Sequence, residues 1–148
     1  MNRGFAAIGL QNPKTKVNVG SVLRAAMCFD VASEAISGQR VDGSWIKHAS
    51  NTLAGHRHIP VMLGDLRQLI PYAAVPVAVD LVDGAESLVD FVHPQSAFYI
   101  FGPEDGTLGK AVLDWCPKRV MVPTQFCMNL AATVNVVLYD RLAKIRRK

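Results

Sequence analysis

An amide, a glycine and a guanidinium group occur at fixed offsets between Asn18 and Arg24. The apolar pattern predicts that a helix begins here, with Asn18, a residue type favoured at helix starts, as its N-cap. Gly20 would let another backbone or a ligand approach closely, and Arg24 would lie about one and a half turns after Asn18. These groups suit a ligand site better than a position in the core. A capped helix with a surface arginine is the alternative interpretation.

Two later segments contain residue types that suit a ligand site beside this helix. Phe101-Gly102-Pro103-Glu104 follows the apolar run 97–100, and the run 120–123 leads into Cys127-Met128-Asn129-Leu130. In this order and spacing, the three segments resemble the three motifs of the SpoU (TrmH) family of RNA ribose methyltransferases, within the SPOUT class. The resemblance extends over nearly the whole chain.

The resemblance implies a fold in which the C-terminal part of the chain passes through a loop and forms a deep trefoil knot that binds S-adenosylmethionine. It implies transfer of the sulfonium methyl group to a ribose 2′-hydroxyl of RNA. The second-motif and third-motif loops would hold the cofactor through backbone and apolar groups, together with one strand end that no motif anchors. The residues expected to contact the cofactor are Val79, Gly102, Val122, Cys127, Met128 and Leu130.

The resemblance also implies the residues that act on the RNA. Arg24 is the family's candidate for acting on the 2′-hydroxyl. A guanidinium group stays protonated near neutral pH and is a poor general base, so we expect Arg24 to hold the neighbouring phosphate and polarise the hydroxyl. Proton abstraction by Arg24 is the alternative. Glu104 is expected to orient Arg24 or Asn18, and Asn129 is expected to act in the site, to cap the last helix, or to do both.

The third motif departs from the family pattern, because Cys127 and Ala131 stand where serines are usual. Loss of a neutral hydrogen bond near the acceptor, worth about 1 kcal/mol, would slow methyl transfer rather than abolish it.

The run 128–140 most resembles the small TrmL-type members, which lack a separate RNA-binding domain and methylate the wobble nucleotide of tRNA. A tRNA is therefore the expected substrate.

Short β-branched runs alternate with helical patterns along the chain. The order is typical of an α/β fold with a largely parallel sheet covered by helices on both faces. Ligands of such sheets bind beyond the carboxyl ends of strands, so the loops at 79–83, 102–106 and 122–129 are expected to form the site. The pattern predicts strands at 5–10, 31–37, 59–63, 75–81, 97–101 and 119–122, and helices at 18–29, 45–53, 65–70, 85–91, 108–115 and 128–145.

Size and charge limit the possible functions. The 148 residues, half of them hydrophobic, suit a single domain over 1–148, and 16 Lys and Arg against 12 Asp and Glu suit a polyanionic partner. Lys144, Arg146 and Arg147 are expected to hold RNA phosphates together with Arg24, a solvated basic tail being the alternative.

The last helix is apolar on nearly every side before Asp140, which predicts a homodimer built on it.

The numbers and positions of the cysteines and histidines predict neither disulfide bonds nor a metal site. The odd number of cysteines and the lack of a signal peptide or a transmembrane-length apolar run predict a reduced, cytoplasmic protein without membrane contact. His56 and His58 flank Arg57, whose charge would repel a metal ion, so no metal site is expected. The three cysteines are Cys28, Cys116 and Cys127.

Two other functions fit parts of the pattern. One is a knotted RNA-binding protein that has lost turnover through its altered third motif, and an assay of methyl transfer to RNA would distinguish it. The other is a flavodoxin-like or Rossmann-like nucleotide-binding enzyme, which has the same alternation of strands and helices. This second alternative is disfavoured because no G-x-G-x-x-G motif follows the first strand.

Overall fold

A computed structural model describes residues 4–41 and 58–146, without the side chain of Arg146. The described residues form one seven-stranded sheet and three helices. Every strand pairing is parallel, and the order across the sheet is β3-β2-β1-β6-β4-β7-β5. The strands are β1 (Ala6–Gln11), β2 (Glu34–Ser37), β3 (Val61–Leu63), β4 (Val75–Val79), β5 (Glu86–Ser87), β6 (Ala97–Phe101) and β7 (Lys118–Met121), and the helices are α1 (Lys16–Cys28), α2 (Lys110–Leu113) and α3 (Leu130–Arg146).

Successive side chains of the strands enter two separate apolar cores, because neighbouring residues in a strand point to opposite faces. Tyr99 and Phe101 pack on the face covered by α1 and α3. Phe98 and Ile100 pack on the other face, where Val112 of α2 contributes. The predicted α/β fold, with a parallel sheet covered on both faces, is confirmed. The trefoil knot that the resemblance implies stays a prediction.

Two of the predicted helices are wrong. Residues 65–70 form turns, in which the Leu69 N–H donates to the carbonyls of Asp65 and Leu66. Residues 85–91 contain β5 and further turns, and Leu88 N–H donates to the carbonyl of Met121 at 2.8 Å. Both segments are short, and a short helix is marginal unless tertiary contacts stabilise it. The predicted helix at 45–53 lies outside the described residues.

The start of α1 also differs from the prediction. Thr15 is the N-cap, and its hydroxyl oxygen accepts a hydrogen bond from the backbone N–H of Asn18 at 3.2 Å. Asn18 therefore lies inside the first turn of the helix, and its side-chain amide is available for a partner elsewhere in the chain. The predicted capping role of Asn18 is wrong.

The apolar face of α3 is mostly covered by the chain itself. Val134, Val137 and Leu138 are buried in the core beside α1. Val136 and Tyr139 remain exposed, at 38% and 64%. The apolar surface that α3 offers to a partner is consequently narrower than the sequence predicts.

A buried polar network fixes the C-terminal half of α3. Arg141 Nη1 donates to the Tyr99 hydroxyl oxygen at 3.1 Å, His93 Nδ1 lies 2.7 Å from the same oxygen, and His93 Nε2 lies 2.7 Å from Asp140 Oδ2. Because a guanidinium group only donates, the Tyr99 hydroxyl proton is directed to His93 Nδ1. His93 is therefore neutral, with its proton on Nε2, and it donates that proton to Asp140.

Two cations of the C-terminal run are used inside the molecule. Arg141 is buried and donates to the carbonyls of Pro94 and Gln95 at 2.7 and 2.6 Å. Lys144 Nζ donates to the carbonyl of Phe91 at 3.0 Å and lies 2.9 Å from Asp140 Oδ2. Lys144 therefore has partners inside the molecule, and its predicted contact with RNA stays a prediction.

The remaining two predicted phosphate contacts of that run, Arg146 and Arg147, stay predictions. The side chain of Arg146 and all of Arg147 lie outside the described residues.

Acid is expected to destabilise the protein through His93. Burial lowers the pKa of His93 below its usual value of 6.5, and the nearby Lys144 and Arg141 add to this effect while Asp140 opposes it. Since the unfolded chain binds the proton first, this stabilisation is fully present above pH 6.5 and is lost as the pH falls below that value. Other groups also titrate between about pH 7.5 and about pH 5, so urea denaturation of the wild type and of His93→Phe measures the loss as the change in the difference between the two proteins.

The free energy of unfolding of the wild type, relative to that of His93→Phe, is therefore expected to fall as the pH is lowered over this range. His58→Phe, at an exposed histidine, serves as the matched control. Equal pH slopes in the wild type and in His93→Phe would contradict the prediction.

Candidate functional site

Three strand-end loops surround a cleft at the carboxyl edge of the sheet, beyond β4, β6 and β7. The first turn of α3 closes one side of this cleft, which we call the cofactor cleft. All six residues predicted to contact a cofactor line it, although they come from three separate parts of the sequence. They are Val79, Gly102, Val122, Cys127, Met128 and Leu130.

The chemistry of the cofactor cleft is apolar with a few acceptor groups. Phe101 and Leu130 are buried within it, whereas Thr124 and Thr133 provide hydroxyl groups. Asp80 and Glu104 add two carboxylates, and its described lining residues include no Lys, Arg or His. A neutral or cationic ligand suits these surroundings, whereas a phosphate group would be repelled by the carboxylates.

Gly102 allows the loop after β6 to fold back against the strand end. A Cβ atom at this position would lie 3.2 Å from the Leu108 nitrogen and 3.4 Å from the Thr107 carbonyl carbon. Asp80 holds the same loop, because its carboxylate accepts hydrogen bonds from the N–H groups of Leu108 at 2.7 Å and Leu81 at 2.8 Å. A larger residue at Gly102 would therefore push the walls of the cofactor cleft apart.

Asp80 and Thr124 lie in loops that were expected to form the site, but neither they nor Thr133 were singled out as site residues. The signal for Asp80 was a carboxylate directly after a buried strand, since short acidic side chains often bond to nearby backbone N–H groups. The two threonines lie in or next to the third-motif segment, but no role was assigned to their hydroxyl groups.

Glu104 joins the cofactor cleft to the first motif. Its Oε1 accepts a hydrogen bond from the Asn18 side-chain amide at 2.9 Å, and its Oε2 accepts one from the Lys14 backbone N–H at 2.7 Å. Of the two partners predicted for Glu104, the structure shows Asn18. Both carboxylate oxygens are occupied, so Glu104 holds the start of α1 against the cleft.

A second contact ties the neighbouring loops together. Arg40 donates to both carboxylate oxygens of Asp105, at 2.8 and 3.0 Å, and to the carbonyl of Asn12 at 2.6 Å. These hydrogen bonds from Arg40 hold the pKa of Asp105 below its usual value. The loops after β1, β2 and β6 are thereby joined at the carboxyl edge of the sheet.

Arg24 lies outside the cofactor cleft. It is exposed on α1, about 9 Å along the helix axis from Asn18, and its guanidinium group has no partner within residues 4–41 and 58–146. The fold places it on the helix that Glu104 holds, yet it does not contact Glu104. This guanidinium group is available to an external anion.

Asn129 caps α3. Its Oδ1 accepts a hydrogen bond from the Ala132 N–H at 2.8 Å, and its carbonyl accepts one from the Thr133 hydroxyl at 2.9 Å. The capping interpretation is confirmed, and the side chain does not line the cleft. Asn129 sets where α3 begins and so places Leu130 and Thr133 in the cleft wall.

The described part of the chain contains neither a metal-binding cluster nor a membrane-spanning helix. No group of three or more His, Cys, Asp or Glu side chains that could hold a metal ion occurs there. His48 and His56 lie outside the described residues. No described helix is long and apolar enough to span a bilayer.

The sheet and its cleft define the class of α/β proteins that bind a small ligand at the carboxyl edge of a parallel sheet. Within that class, a comparison with known protein families identifies the family of this chain. The model of the SpoU rRNA Methylase family matches residues 6–139, and the chain belongs to this family. No curated protein sequence matches the chain.

Solved structures of similar fold include two methyltransferases with AdoMet bound. The SpoU methyltransferase AviRb from Streptomyces viridochromogenes has 17% sequence identity and a TM-score of 0.82, and the match covers 100% of this chain and 63% of that one. The rRNA methyltransferase from Sinorhizobium meliloti has 17% identity and a TM-score of 0.84, covering 96% of this chain and 57% of that one. The chain thus spans less than two thirds of the length of these relatives.

A third structure comes from a study of 2-OH methylation of C/U34 on tRNA. It has 21% identity and a TM-score of 0.82, and the match covers 98% of this chain and 99% of that one. At these levels of identity, the three structures establish the shared fold.

Proposed function

We propose that the chain transfers a methyl group from S-adenosylmethionine to a ribose 2′-hydroxyl of RNA in the cytoplasm, and that its substrate is the wobble nucleotide of a tRNA. The observation that carries this proposal is the cofactor cleft, in which all six predicted contact residues meet. Glu104 connects this cleft to the helix that bears Arg24. The membership of the SpoU family supports the same reaction class.

The residues present fit S-adenosylmethionine. Its sulfonium and ammonium groups are cationic, and the lining of the cleft includes the carboxylates of Asp80 and Glu104. The same carboxylates disfavour the diphosphate of a dinucleotide, which argues against the Rossmann-like alternative. Val122, Met128 and Leu130 would provide the apolar and backbone contacts.

The reaction needs alignment more than it needs acid or base strength. When bound, the cofactor supplies an electrophilic methyl group. Arg24 would hold the phosphate next to the acceptor nucleotide and polarise the 2′-hydroxyl, since a guanidinium group stays charged and donates two parallel hydrogen bonds. Glu104 would keep α1, and therefore Arg24, at a fixed position relative to the cleft.

The choice of tRNA is supported by the match to the protein studied for C/U34 methylation. That match extends over 99% of the other chain, whereas the matches to AviRb and to the rRNA methyltransferase extend over 63% and 57%. The altered third motif, with Cys127 and Ala131, is the feature that favours the second candidate, an RNA-binding protein without turnover.

Methyl transfer tests the proposal directly. The protein is incubated with isotopically labelled S-adenosylmethionine and either total tRNA or ribosomal RNA, and the nucleosides are analysed by mass spectrometry. We expect a labelled 2′-O-methylnucleoside from tRNA, at the wobble position after mapping. RNA binding without label in either RNA would support the second candidate and overturn the enzyme proposal.

Gly102→Val is expected to abolish measurable cofactor binding, because its side chain would displace the backbone at Thr107 and Leu108. Gly109→Val is the matched control, since a Cβ atom there meets nothing within 4 Å. Calorimetric titration should give one site per chain for the wild type and for Gly109→Val.

Alkylation provides a second readout of cofactor binding. S-adenosylmethionine should protect Cys127, which lines the cleft, but not Cys28, which is exposed on α1. Wild-type affinity in Gly102→Val, or no protection of Cys127, would contradict the assignment of the cleft.

We further propose that two chains pair through α3. An open, mostly apolar groove runs beside this helix and includes Phe29, Val89, Val136 and Tyr139. Val89 and Tyr139 are 68% and 64% exposed, and an apolar patch of this kind is typical of an interaction surface. The groove also includes Val122, which lines the cofactor cleft, so a second copy seated there would border the cofactor site.

Val136→Glu is expected to convert the dimer to a monomer, because it would bury a charge in the pairing surface. The buried Val137 is unsuitable for this test, since a charge there would disrupt the core. Tyr72→Glu, at a side chain that is 96% exposed away from the groove, is the control. Light scattering should give twice the chain mass for the wild type and the control, and a monomeric wild type that methylates RNA would refute the pairing.

A further inference from the structure

A second pocket, of about 480 Å³, lies beyond the carboxyl ends of β1, β2 and β3. Its lining residues are different from those of the cofactor cleft. We name it the edge pocket, and its polar and aromatic residues are Gln11, Ser37, Gln39, Asp65 and Trp115.

The edge pocket contains hydrogen-bonding groups that the described part of the protein does not use. The side-chain amides of Gln11 and Gln39 have no partner within the described ranges, and neither does the indole N–H of the half-buried Trp115. Asp65 Oδ1 accepts a hydrogen bond from the Arg67 N–H at 2.9 Å, which leaves Oδ2 as an acceptor.

The charges of the edge pocket exclude one class of ligand. Its described lining includes the carboxylate of Asp65 and no Lys, Arg or His. A phosphate group would be repelled there. A neutral planar ligand with several hydrogen-bonding positions fits better, because Trp115 offers an aromatic surface and the two glutamines offer paired donors and acceptors.

The edge pocket and the cofactor cleft lie on the same edge of the sheet. β1 is separated from β4 by β6 alone, which corresponds to about 10 Å at the usual spacing of strands. Arg40 connects the two regions, since it bonds to Asn12 after β1 and to Asp105 in the loop that borders the cleft. One RNA strand can therefore contact both places.

We propose that the edge pocket binds a nucleobase of the RNA substrate, at a nucleotide near the one that is methylated, and that it prefers bases with an exocyclic amino group. The preference follows from Asp65, whose carboxylate accepts from such an amino group, and from the glutamines, which bond to an amino group and a ring nitrogen together. Uracil lacks the amino group. This inference rests on the proposed function for the identity of its ligand.

Free nucleosides test the pocket without methyl transfer. Trp45→Phe leaves Trp115 as the single tryptophan, and its fluorescence reports on the pocket. S-adenosylhomocysteine is present at saturation so that the nucleoside does not enter the cofactor cleft. We expect saturable quenching by cytidine and binding of uridine that is weaker by about tenfold, the size expected for the loss of one hydrogen bond to a charged group.

Two variants on the same Trp45→Phe background sharpen the test. Gln39→Leu should weaken cytidine binding by about tenfold, whereas Gln95→Leu, at an exposed glutamine before β6 on the opposite edge, should not change it. No saturable quenching by cytidine, equal binding of uridine, or no effect of Gln39→Leu would overturn the inference.

Steady-state kinetics with RNA provide an independent readout. Gln39→Leu should raise the KM for RNA while kcat and cofactor affinity stay at wild-type values, because the pocket is remote from the methyl group. An unchanged KM would overturn the inference. If the wild type transfers no methyl group, the proposed function fails, and the nucleoside titration still decides whether the edge pocket binds a base.

Discussion

Arg24→Ala is expected to reduce methyl transfer about 100-fold or more, the size typical of losing one preorganised donor at a reacting centre. The affinity for S-adenosylmethionine should stay unchanged, because Arg24 is exposed on α1 and does not line the cofactor cleft. Single-turnover methyl transfer and calorimetric titration measure the two quantities separately.

Two control variants separate the effect of the planar guanidinium group of Arg24 from the effect of a positive charge alone. Arg24→Lys should not restore activity, because an ammonium group lacks the planar fork of a guanidinium group. Lys118→Ala removes an exposed cation at the opposite edge of the sheet and should leave methyl transfer intact. A parallel loss of cofactor affinity in Arg24→Ala would move this residue to the cofactor side of the site.

Glu34→Met is expected to raise the free energy of unfolding by about 3 kcal/mol at pH 7. Glu34 is fully buried in β2 between Ile8 and Val61, and neither carboxylate oxygen has a hydrogen-bond partner in the described part of the protein. Burial raises the pKa of Glu34 to about 8, from 4.5. The folded protein must therefore keep this carboxyl protonated at a pH where the unfolded chain releases the proton.

The sign of the pH dependence follows from the raised pKa. Between pH 4.5 and about 8 the folded state binds more protons at Glu34, so this group makes the wild type less stable as the pH rises. Urea denaturation should show that the gain from Glu34→Met grows over this interval. Glu86→Met, at an exposed glutamate, should show no such trend, and a gain from Glu34→Met that is independent of pH would contradict the prediction.

Much of the sheet was predictable because most of its strands lie in short apolar runs, and in β4 and β6 the β-branched and aromatic residues also favour a strand. The segments at 65–70 and 85–91 were not predictable, since a six- or seven-residue apolar pattern fits a turn or a helix equally well. Lys144 shows a different limit. Its sequence position indicates a charge near the end of a helix, whereas its role depends on carbonyl groups that lie more than 50 residues away in the chain.

The cofactor cleft was predictable because the predicted contacts lie at strand ends, all of them except Val79 in motif segments. The start of α1 was not, because Thr15 and Asn18 are both good capping residues. The hydrogen bond from Asn18 to Glu104, 86 residues away, is a tertiary contact that local sequence does not show. The edge pocket was missed for a similar reason, since Gln11, Gln39 and Trp115 have no motif in common and meet only through the parallel order of the strands.

The helix α3 has 17 residues and is about 25 Å long. Its first turn forms a wall of the cofactor cleft, and its last turns are held by the buried network of Asp140, Arg141 and His93. Contacts at both ends therefore fix the position of this helix in the protein. Two chains joined along its middle would hold their catalytic centres at one set separation and angle. A change in the buried network would then alter how the paired sites face a single RNA, without changing a residue in either cleft.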